Sequence, residues 1–410
     1  MIEAPQRAGP ESLDILYVGT LPPHPGGSAV MCGQLLLGLS GMGHRIRALA
    51  PLSEDALSAP DSFPAAFPNF TVTRFVVRRN MTTPDFLHGL FQEGMQFEQT
   101  RVRELLPSLI SAGPADVIIL GREPCLWYFR DLRRDLSVPA VLIAHGLISY
   151  RLTMGRYPET LSQEILHRLR QPARIVTPGM HLAERLRAAQ TSPVSVIPNP
   201  VNTALFAPRP KDPALLRALS LSAEDMVVAH VSNLKSVKRP LDVVASAEMA
   251  LRRNPRLIYV VVGEGEHRAD MEDLCRQKGI LGRFRFTGWV THEAVPGYLN
   301  LADIVVMPSE IETQALVYLE TQACGRLLLA SDIPGAREVV EQGRNGLLFR
   351  MGDLEDLTRK TLRAAENPQL REELGRNARQ SVQAHSLERV VSAYHALLRE
   401  VAGQPQGKTR

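Results

Sequence analysis

The strongest constraint in this sequence is a regular alternation of short apolar runs and longer helical stretches. The first run, 13–18, ends at Gly19 and is followed by a loop rich in proline and glycine. Apolar residues then recur at helical spacing over 28–42, with Ser28 as the predicted N-cap. Because parallel strands need crossover connections, usually helices, this order predicts a doubly wound α/β fold.

The alternation occurs in two series of similar size. Strands are predicted in the first series at 13–18, 45–50, 72–77, 117–120, 140–144, 174–177 and 194–197. In the second series they are predicted at 227–231, 258–262, 285–287, 304–307 and 327–330, and helices at 240–253, 267–278 and 315–323. We therefore expect two Rossmann-like domains that face each other across a cleft.

The domain boundary is predicted at residues 198–213. This stretch holds five prolines, which cannot lie inside helices or central strands. The predicted domains are 1–200 and 201–385, and a pair of helices is expected at about 368–402. The last helix, about 386–402, is predicted to pack back on the first domain.

Composition excludes several classes of protein. Hydrophobic residues make up 44% of the 410 residues, so general disorder is excluded. The formal net charge of +4 is too small to indicate a nucleic-acid partner. The four cysteines are far apart and form no CxxC pair, which argues against a zinc site or a disulfide framework. With no signal segment and no apolar stretch of about 18 residues, we expect a cytoplasmic protein.

One segment has two interpretations. Aromatic residues at 126–129 are followed by Arg130, Arg133 and Arg134. Such a mixture is compatible with peripheral contact with the inner face of a membrane. It is also, and more often, the pattern of a buried face with a solvated basic edge.

Dinucleotide-binding patterns are incomplete in both halves. Gly263 and Gly265 follow a predicted strand as G-x-G, but Arg268 stands where the third glycine belongs. The loop at 26–33 does not match the pattern either, and no P-loop is present. The sequence therefore argues against a dehydrogenase.

The acidic segment at 303–325 is the most informative part of the chain. A buried strand is expected to lead into an acidic loop and then a helix starting near Thr313, with Glu312 just before it and Glu320 two turns inside, about 12 Å along the axis. Free N–H groups at a helix N-terminus attract phosphate. Carboxylates can accept two hydrogen bonds from a vicinal diol, so the segment predicts a site for a sugar–diphosphate–ribose ligand. The alternative is a helix-capping Glu312 and a solvated Glu320.

This segment and several others resemble the retaining glycosyltransferases of the GT-B fold, known as group 1 or family 4. The family's E-x7-E segment matches Glu312 to Gly325, although its usual Phe-Gly pair is replaced by Gln314 and Ala315. The Ala315 side chain is expected to narrow the donor-sugar pocket. Further matches occur at 197–202 with Phe206, and at 262–265, 286–290 and 345–349.

The resemblance also assigns cations to the donor diphosphate. Lys238 aligns with the family lysine, while Asn233 occupies the usual arginine position. In having a Ser-Asn pair at this position, the chain resembles the subgroup of the family that includes N-acetylglucosaminyl-malate synthase. Lys235 or Arg239 would compensate for the lost arginine, because a diphosphate leaving group carries about two negative charges. The alternative is a solvated basic turn.

Two features of the first series match the same family. Residues 25–28 resemble its glycine loop, in which Gly27 lets the backbone approach a ligand closely. His145 ends a predicted strand and matches the family histidine near the donor sugar. Without the resemblance, the glycines more often indicate an ordinary turn, and a structural role is as good an interpretation of His145 as a functional one.

The resemblance implies transfer of a sugar from a nucleotide-diphosphate donor, with UDP favoured, to a hydroxyl acceptor by front-face substitution. It implies catalytic roles for His145, Glu312 and Lys238, with no cofactor and no required metal. The implied donor contacts are Gly27, Asn233, Lys238, Arg239, Gly263, Trp289, Val290, Glu312, Ala315, Leu316, Val317 and Glu320.

The acceptor is expected at the first domain, in the loops at about 52–70, 78–100 and 147–160, where Arg151, Arg156 and Tyr157 are candidate contacts. The acceptor is a small molecule, a glycan or a lipid-linked sugar, and the chain is a monomer or a homodimer. Two other functions stay open. One is a nucleotide-sugar epimerase of the same fold, and the other is a degenerate sugar-nucleotide-binding protein.

Overall fold

The computed structural model describes residues 11–24, 26–53, 67–77 and 90–403. The chain divides into two compact units, Met1–Pro198 with Leu387–Arg410, and Asn199–Ser386. Each unit contains one sheet of parallel strands, with seven strands in the first unit and six in the second. The predicted fold class, with two doubly wound α/β domains, is confirmed.

The first unit has the strand order β3-β2-β1-β4-β5-β6-β7. Its strands are β1 (Asp14–Val18), β2 (Arg45–Ser53), β3 (Phe70–Val77), β4 (Val117–Leu120), β5 (Ala140–Ile143), β6 (Arg174–Thr177) and β7 (Val194–Val196). Its helices include α1 (Gly27–Gly41), α2 (Leu90–Ser111), α3 (Leu132–Asp135), α4 (Leu147–Thr153), α5 (Glu159–Leu169) and α6 (Met180–Ala188). The order reverses between β1 and β4, so connections diverge there and leave a crevice at the carboxyl ends.

The second unit has the order β10-β9-β8-β11-β12-β13, which reverses between β8 and β11. Its strands are β8 (Met226–Val231), β9 (Leu257–Val262), β10 (Phe284–Gly288), β11 (Ile304–Met307), β12 (Leu327–Ser331) and β13 (Leu347–Phe349). Its helices are α7 (Pro213–Ala218), α8 (Pro240–Leu251), α9 (Arg268–Gln277), α10 (Val295–Leu301), α11 (Leu316–Ala323), α12 (Pro334–Arg337), α13 (Leu354–Glu366) and α14 (Pro368–Ser381).

Both faces of the second sheet are buried. Val227 and Ala229 of β8 lie in one apolar cluster, whereas Val228 between them lies in the cluster on the opposite face. Helix α11 packs in the first cluster, and α8 and α13 in the second. Covered faces make each strand almost continuously apolar, which is why short apolar runs locate the strands in the sequence.

The predicted boundaries of these elements are mostly close. The strands predicted at 117–120, 174–177 and 304–307 have the same bounds in the structure, and the other predicted strands differ by one to three residues at an end. Strand β13 was not predicted, because three residues are too few for a periodic pattern.

The predicted start of α1 is wrong. The helix begins at Gly27, and Ser28 lies inside its first turn rather than at the N-cap. Gly26 precedes the helix with a φ of 118°, a conformation that side chains disfavour. A backbone turn through glycine therefore replaces a side-chain cap.

Most of the proline-rich segment at 198–213 packs against the core of the second unit. From Asn199 onward it belongs to the second unit, where Val201 and Phe206 are buried in the apolar cluster under α11. Asn300 of α10 also accepts a hydrogen bond from the backbone of Arg209 at 2.9 Å. Apolar residues between the prolines thus attach this stretch to one unit.

The last helix of the described part is α15 (Leu387–Ala402), which packs on α1 and β4 of the first unit. A Cβ on Gly38 of α1 would lie 2.4 Å from Cγ2 of Val391, so the two helices approach closely only because Gly38 lacks a side chain. His395 of α15 also contacts His44, with 2.8 Å between Nδ1 and Nε2.

The aromatic cluster at 126–129 is buried, so it does not present a membrane-binding surface. Trp127 donates a hydrogen bond to Glu164 at 2.8 Å, and Arg168 lies over its ring. The basic residues that follow, Arg133 and Arg134, are exposed. The buried interpretation is the correct one. Within the described ranges, no helix is long and apolar enough to cross a membrane.

Candidate functional site

The second unit brings several predicted residues together at the carboxyl ends of β8 and β11. These two strands are neighbours at the point where the strand order reverses. The loop after β8 occupies 232–239, and the loop after β11 occupies 308–315. Such a reversal is where parallel α/β sheets bind ligands, because the two loops leave toward opposite faces.

A buried histidine holds the first of these loops. His230 at the end of β8 donates from Nδ1 to the carbonyl of Val306 at 2.9 Å and accepts from the hydroxyl of Ser232 at 2.8 Å. The Ser232 oxygen in turn accepts the N–H of Leu234, whose φ is +41°. Burial lowers the pKa of His230 to about 4, so it stays neutral and can both donate and accept. The sequence analysis did not single out His230 for this role.

Lys238 and Glu312 form an ion pair across the two loops. The Lys238 Nζ lies 2.5 Å from the Glu312 Oε1, with side chains 20% and 10% exposed. Arg239 instead pairs with Asp242 of α8 at 2.7 Å, and Asn233 is exposed. The candidate cation and carboxylate are therefore in direct contact and only partly covered.

Backbone crowding fixes the position of Glu312. A Cβ on Gly335 would lie 2.0 Å from the Glu312 carbonyl oxygen, so a side chain at Gly335 would displace the acidic loop. Two residues further on, Gln314 is buried and is bonded twice to Asn199, at 2.6 Å and 2.7 Å. The glutamine that departs from the family pattern thus ties this loop to the proline-rich segment. Sequence spacing gave no sign of either contact.

The helix after this loop starts later than predicted. Helix α11 begins at Leu316, after Ala315, so Glu312 lies four residues before it. Glu320 is the fifth residue of the helix, little more than one turn inside. The predicted separation of 12 Å along a helix axis is therefore wrong. Ala315 is the N-cap residue of α11, and its methyl side chain cannot accept a hydrogen bond. It therefore leaves the first N–H groups of the helix, including those of Leu316 and Val317, without a side-chain cap.

Glu320 is buried and is hydrogen-bonded to a histidine that the sequence analysis missed. Its Oε1 lies 2.7 Å from Nε2 of His292, which precedes α10. Burial lowers the pKa of His292, but the hydrogen bond and charge of Glu320, with the charge of Glu293, outweigh it and raise the pKa. The solvated Glu320 of the alternative interpretation is thus wrong, since this residue is 6% exposed.

The glycine turn after β9 lies against the loop after β8. A Cβ on Gly263, whose φ is +125°, would lie 1.9 Å from the Ser232 carbonyl oxygen, and one on Gly265 would lie 2.0 Å from that of Asn233. The pattern read in the sequence as an incomplete dinucleotide fingerprint therefore supports the neighbouring loop.

Two further predicted residues follow β10. Trp289 is 54% exposed, whereas Val290 packs partly against the apolar cluster under α11. The indole is thus available to a planar ligand, while Val290 offers mainly its backbone. Their contact with a donor stays a prediction.

The first unit places His145 at the carboxyl end of β5. Its Nε2 lies 3.0 Å from the Gly121 carbonyl oxygen and 3.8 Å from the sulfur of Cys32. Burial lowers the pKa of His145 to about 4. Glu123 accepts hydrogen bonds from the Gly146 N–H and the Ser149 hydroxyl, which holds the turn beside His145. The sequence analysis did not identify Glu123.

The other predicted residues of this unit are placed as follows. Gly27 is the first residue of α1, and Arg151 lies in the last turn of α4. Arg156 is exposed, whereas Tyr157 is buried, and burial raises its pKa to about 12. Parts of two predicted acceptor loops, 54–66 and 78–89, lie outside the described residues.

Metal ligation was tested on the described residues. No group of three His, Cys, Asp or Glu side chains that could hold a metal ion occurs among them. Independence from a metal stays a prediction.

Two family models match the chain in consecutive segments. The model described as Glycosyltransferase Family 4 matches residues 25–205, and the model described as Glycosyl transferases group 1 matches residues 213–381. Together they span most of both units.

Curated relatives are similar over part of their length. A D-inositol 3-phosphate glycosyltransferase from Nocardia farcinica is 30% identical over 312 residues, which is 68% of this chain and 66% of the relative. An alpha-D-kanosaminyltransferase from Streptomyces kanamyceticus is 30% identical over 155 residues, 37% of this chain and 39% of the relative. The chain thus spans less than two thirds of the length of these relatives.

A solved structure is similar over almost the whole chain. HepE from Anabaena, in complex with UDP and glucose, superposes with a TM-score of 0.74 at 17% identity, covering 95% of this chain and 100% of HepE. This likeness supports the GT-B fold class. The chain therefore contains a Glycosyltransferase Family 4 domain at residues 25–205 and a Glycosyl transferases group 1 domain at residues 213–381.

Proposed function

We propose that this chain is a retaining glycosyltransferase that moves a sugar from a nucleotide-diphosphate donor, with UDP favoured, to a hydroxyl group of an acceptor. The contact between Lys238 and Glu312 beside the N-terminus of α11 carries the proposal. Glu320 lies further along the same helix. A cation, a helix N-terminus and two carboxylates provide partners for each part of such a donor.

The diphosphate is bound by Lys238 and the first N–H groups of α11. In the free protein, Glu312 balances the charge of Lys238 at 2.5 Å. A donor phosphate brings negative charge to the same place, where the ammonium group and the helix dipole both stabilise it. Stabilisation increases as the leaving diphosphate gains charge in the transition state.

The carboxylates bind the hydroxyl groups at the two ends of the donor. Glu312 binds hydroxyl groups of the sugar, and Glu320 binds the ribose diol. The Ala315 methyl group borders the sugar and narrows its pocket, so the identity of the transferred sugar is not carried over from relatives with glycine there. Trp289 and the backbone of Val290 contact the base.

The reaction is a front-face substitution. The bond between the anomeric carbon and the diphosphate oxygen breaks, and a bond from this carbon to the acceptor oxygen forms on the same face. The acceptor proton moves to an oxygen of the leaving phosphate, giving a glycoside and a nucleoside diphosphate. Neutral His145 contacts the donor sugar as a hydrogen-bonding group, and Arg151, Arg156 and Tyr157 border the acceptor.

Two observations favour transfer over the alternative functions. The curated relatives described above are named as glycosyltransferases, and HepE was solved with UDP and glucose. The paired Lys238 and Glu312 and the buried Glu320 also argue against a degenerate protein. Incubation with UDP-sugars in the absence of an acceptor separates an epimerase from a transferase, because only an epimerase inverts a carbon of the sugar under these conditions.

Calorimetry tests the donor site. Wild type is expected to bind UDP more tightly than GDP or ADP, and Lys238→Gln to lose about tenfold or more in affinity, because a charge-assisted hydrogen bond contributes about 1.5–3 kcal/mol. Lys278→Gln is the matched control, since this lysine lies at the end of α9 and pairs with Glu248. Absence of nucleoside diphosphate binding by wild type, or equal affinity of both variants, contradicts the proposal.

A further inference from the structure

His292 provides the only hydrogen bond that the described part of the chain makes to the Glu320 carboxylate. Its Nε2 donates to Oε1 at 2.7 Å, and no other described residue bonds either carboxylate oxygen. The Glu320 side chain is 8% exposed, so water can only partly replace this bond. Oε2 is left without a protein partner and can accept a bond from a ligand.

The imidazole is itself held by the core of the second unit. Its ring packs on Phe206 with centroids 5.1 Å apart and planes inclined by 50°. Phe206 is fully buried, and Arg379 donates to its carbonyl oxygen at 3.0 Å. A rigid aromatic surface therefore limits where the imidazole, and with it the carboxylate, can lie.

We propose that His292 is a positioning residue that orients the Glu320 carboxylate toward the ribose diol of the donor. This inference rests on the proposed function, because it assumes a nucleoside diphosphate at the site. A carboxylate that is free to rotate loses part of its binding energy to ordering, whereas one held at Oε1 presents Oε2 in a single direction. His292 thus acts on donor affinity without touching the reacting atoms.

A dependence on pH follows from the charges around His292. Glu320 of α11 faces it, and Glu293 is its neighbour in the chain, while the Phe206 surface is uncharged. These carboxylates raise the pKa of His292 above its ordinary value of about 6.5, although burial opposes the shift. Protonation makes the N–H that holds Oε1 a charged donor and so strengthens this bond, and affinity therefore decreases as pH rises through this pKa.

Paired nucleotides separate positioning from general damage to the site. Affinities for UDP and 2′-deoxy-UDP are measured by calorimetry for wild type, His292→Ala and His292→Gln. His292→Ala is expected to weaken UDP about tenfold but 2′-deoxy-UDP less than about threefold, because the second ligand has no diol for Glu320 to bind. His292→Gln keeps an N–H donor and is expected to recover most of the affinity without the pH dependence. His167→Ala in α5 of the first unit is the control.

Each contrary result has a distinct meaning. Equal losses for both nucleotides in His292→Ala overturn the positioning role while leaving the donor site intact. So does a His292→Gln variant with the same pH profile as wild type. Wild type that does not distinguish the two nucleotides overturns contact between Glu320 and the diol, and wild type that binds neither overturns the proposed function itself.

Discussion

The two units share one topology but have different chemistry at the carboxyl ends of their strands. In the first unit, desolvation lowers the pKa of the half-buried His145 to about 4, and Arg122 forms an ion pair with the buried Glu98 at 3.1 Å. In the second unit, the pair of Lys238 and Glu312 is partly exposed and spans two loops. Similar sheets thus carry a neutral histidine beside an ion pair in one unit, and an ion pair that joins the two loops of the strand-order reversal in the other. The fold places a site at this edge, and the loop residues decide which ligand it suits.

The largest effect is expected from a variant that displaces the loop after β8, which carries Lys238 of the ionic site. Gly263→Ala places a Cβ 1.9 Å from the Ser232 carbonyl oxygen at a φ of +125°. We expect the second unit to lose about 3 kcal/mol or more of unfolding free energy, from a steric and a conformational penalty together. Gly279→Ala is the control, because its φ is also positive, +66°, but nothing lies within 4 Å. Urea denaturation measures the difference, and equal losses refute the close approach.

The next variant tests whether the Glu320 carboxylate of the second unit contributes to nucleotide binding. Glu320→Ala removes the carboxylate and its bond to His292, so nucleoside diphosphate affinity is expected to fall about 10- to 100-fold, equivalent to about 1.4–2.8 kcal/mol. Glu372→Ala in α14, which forms an exposed pair with Arg376, is the control. If calorimetry finds the affinity of Glu320→Ala unchanged, the proposed contact between Glu320 and the ribose is wrong.

An effect of similar size concerns the first unit alone. Gly38→Ala brings a Cβ within 2.4 Å of Val391 Cγ2, and the resulting overpacking costs about 1–3 kcal/mol. Gly41→Ala in the same helix meets nothing within 4 Å and serves as the control.

Two further variants make this test specific. Val391→Ala is expected to restore part of the stability that Gly38→Ala removes, because it vacates the space of the new methyl group. Trp289→Phe leaves Trp127, in the first unit, as the single tryptophan, so that unfolding of this unit is followed by tryptophan fluorescence. Additive losses in the double variant contradict the packing of α15 on α1 at this point.

The smallest effect is the pH dependence of the same interface. His44 accepts the Leu13 N–H at Nδ1, at 2.9 Å, and therefore donates from Nε2 to His395. Burial first, with the charges of His395 and Arg399, lowers the pKa of His44 to about 4. The unfolded chain, with a pKa of about 6.5, then binds more protons, so stability is lost as pH falls from about 6.5 to 4.

His44→Gln isolates this contribution. The variant is expected to be less stable than wild type at pH 7. Between pH 6.5 and 4, however, its free energy of unfolding is expected to decrease by at least about 1 kcal/mol less than that of wild type, since each pKa unit corresponds to about 1.4 kcal/mol. Urea denaturation at a series of pH values gives both slopes. Parallel slopes for wild type and variant contradict the contribution of His44.

Much of the fold could be predicted because the relevant physics is local. A strand buried on both faces, such as β4 or β11, must be an apolar run, so it stands out in the sequence. The ends of elements were less predictable. Helix α11 starts at Leu316 rather than near Thr313, because Gln314 is bonded to Asn199, 115 residues away.

The candidate site divides in the same way. The residue types and spacing at 312–320 point to a diphosphate with hydroxyl groups on either side, and the structure brings Glu312 to Lys238. The sequence did not reveal His292 or Gly335, because a lone histidine and a lone glycine have many ordinary uses. The aromatic residues at 126–129 left two interpretations open, and only burial distinguishes them.

By itself, the sequence determined that two α/β series would form and where charged residues would follow their strands, since apolar periodicity and chain order are properties of neighbouring residues. Only the tertiary structure decided which side chains meet. Glu320 with His292, Lys238 with Glu312 and His44 with His395 are pairs from distant parts of the chain. Their contact depends on strand order and helix packing, and burial then sets the charge that each group carries.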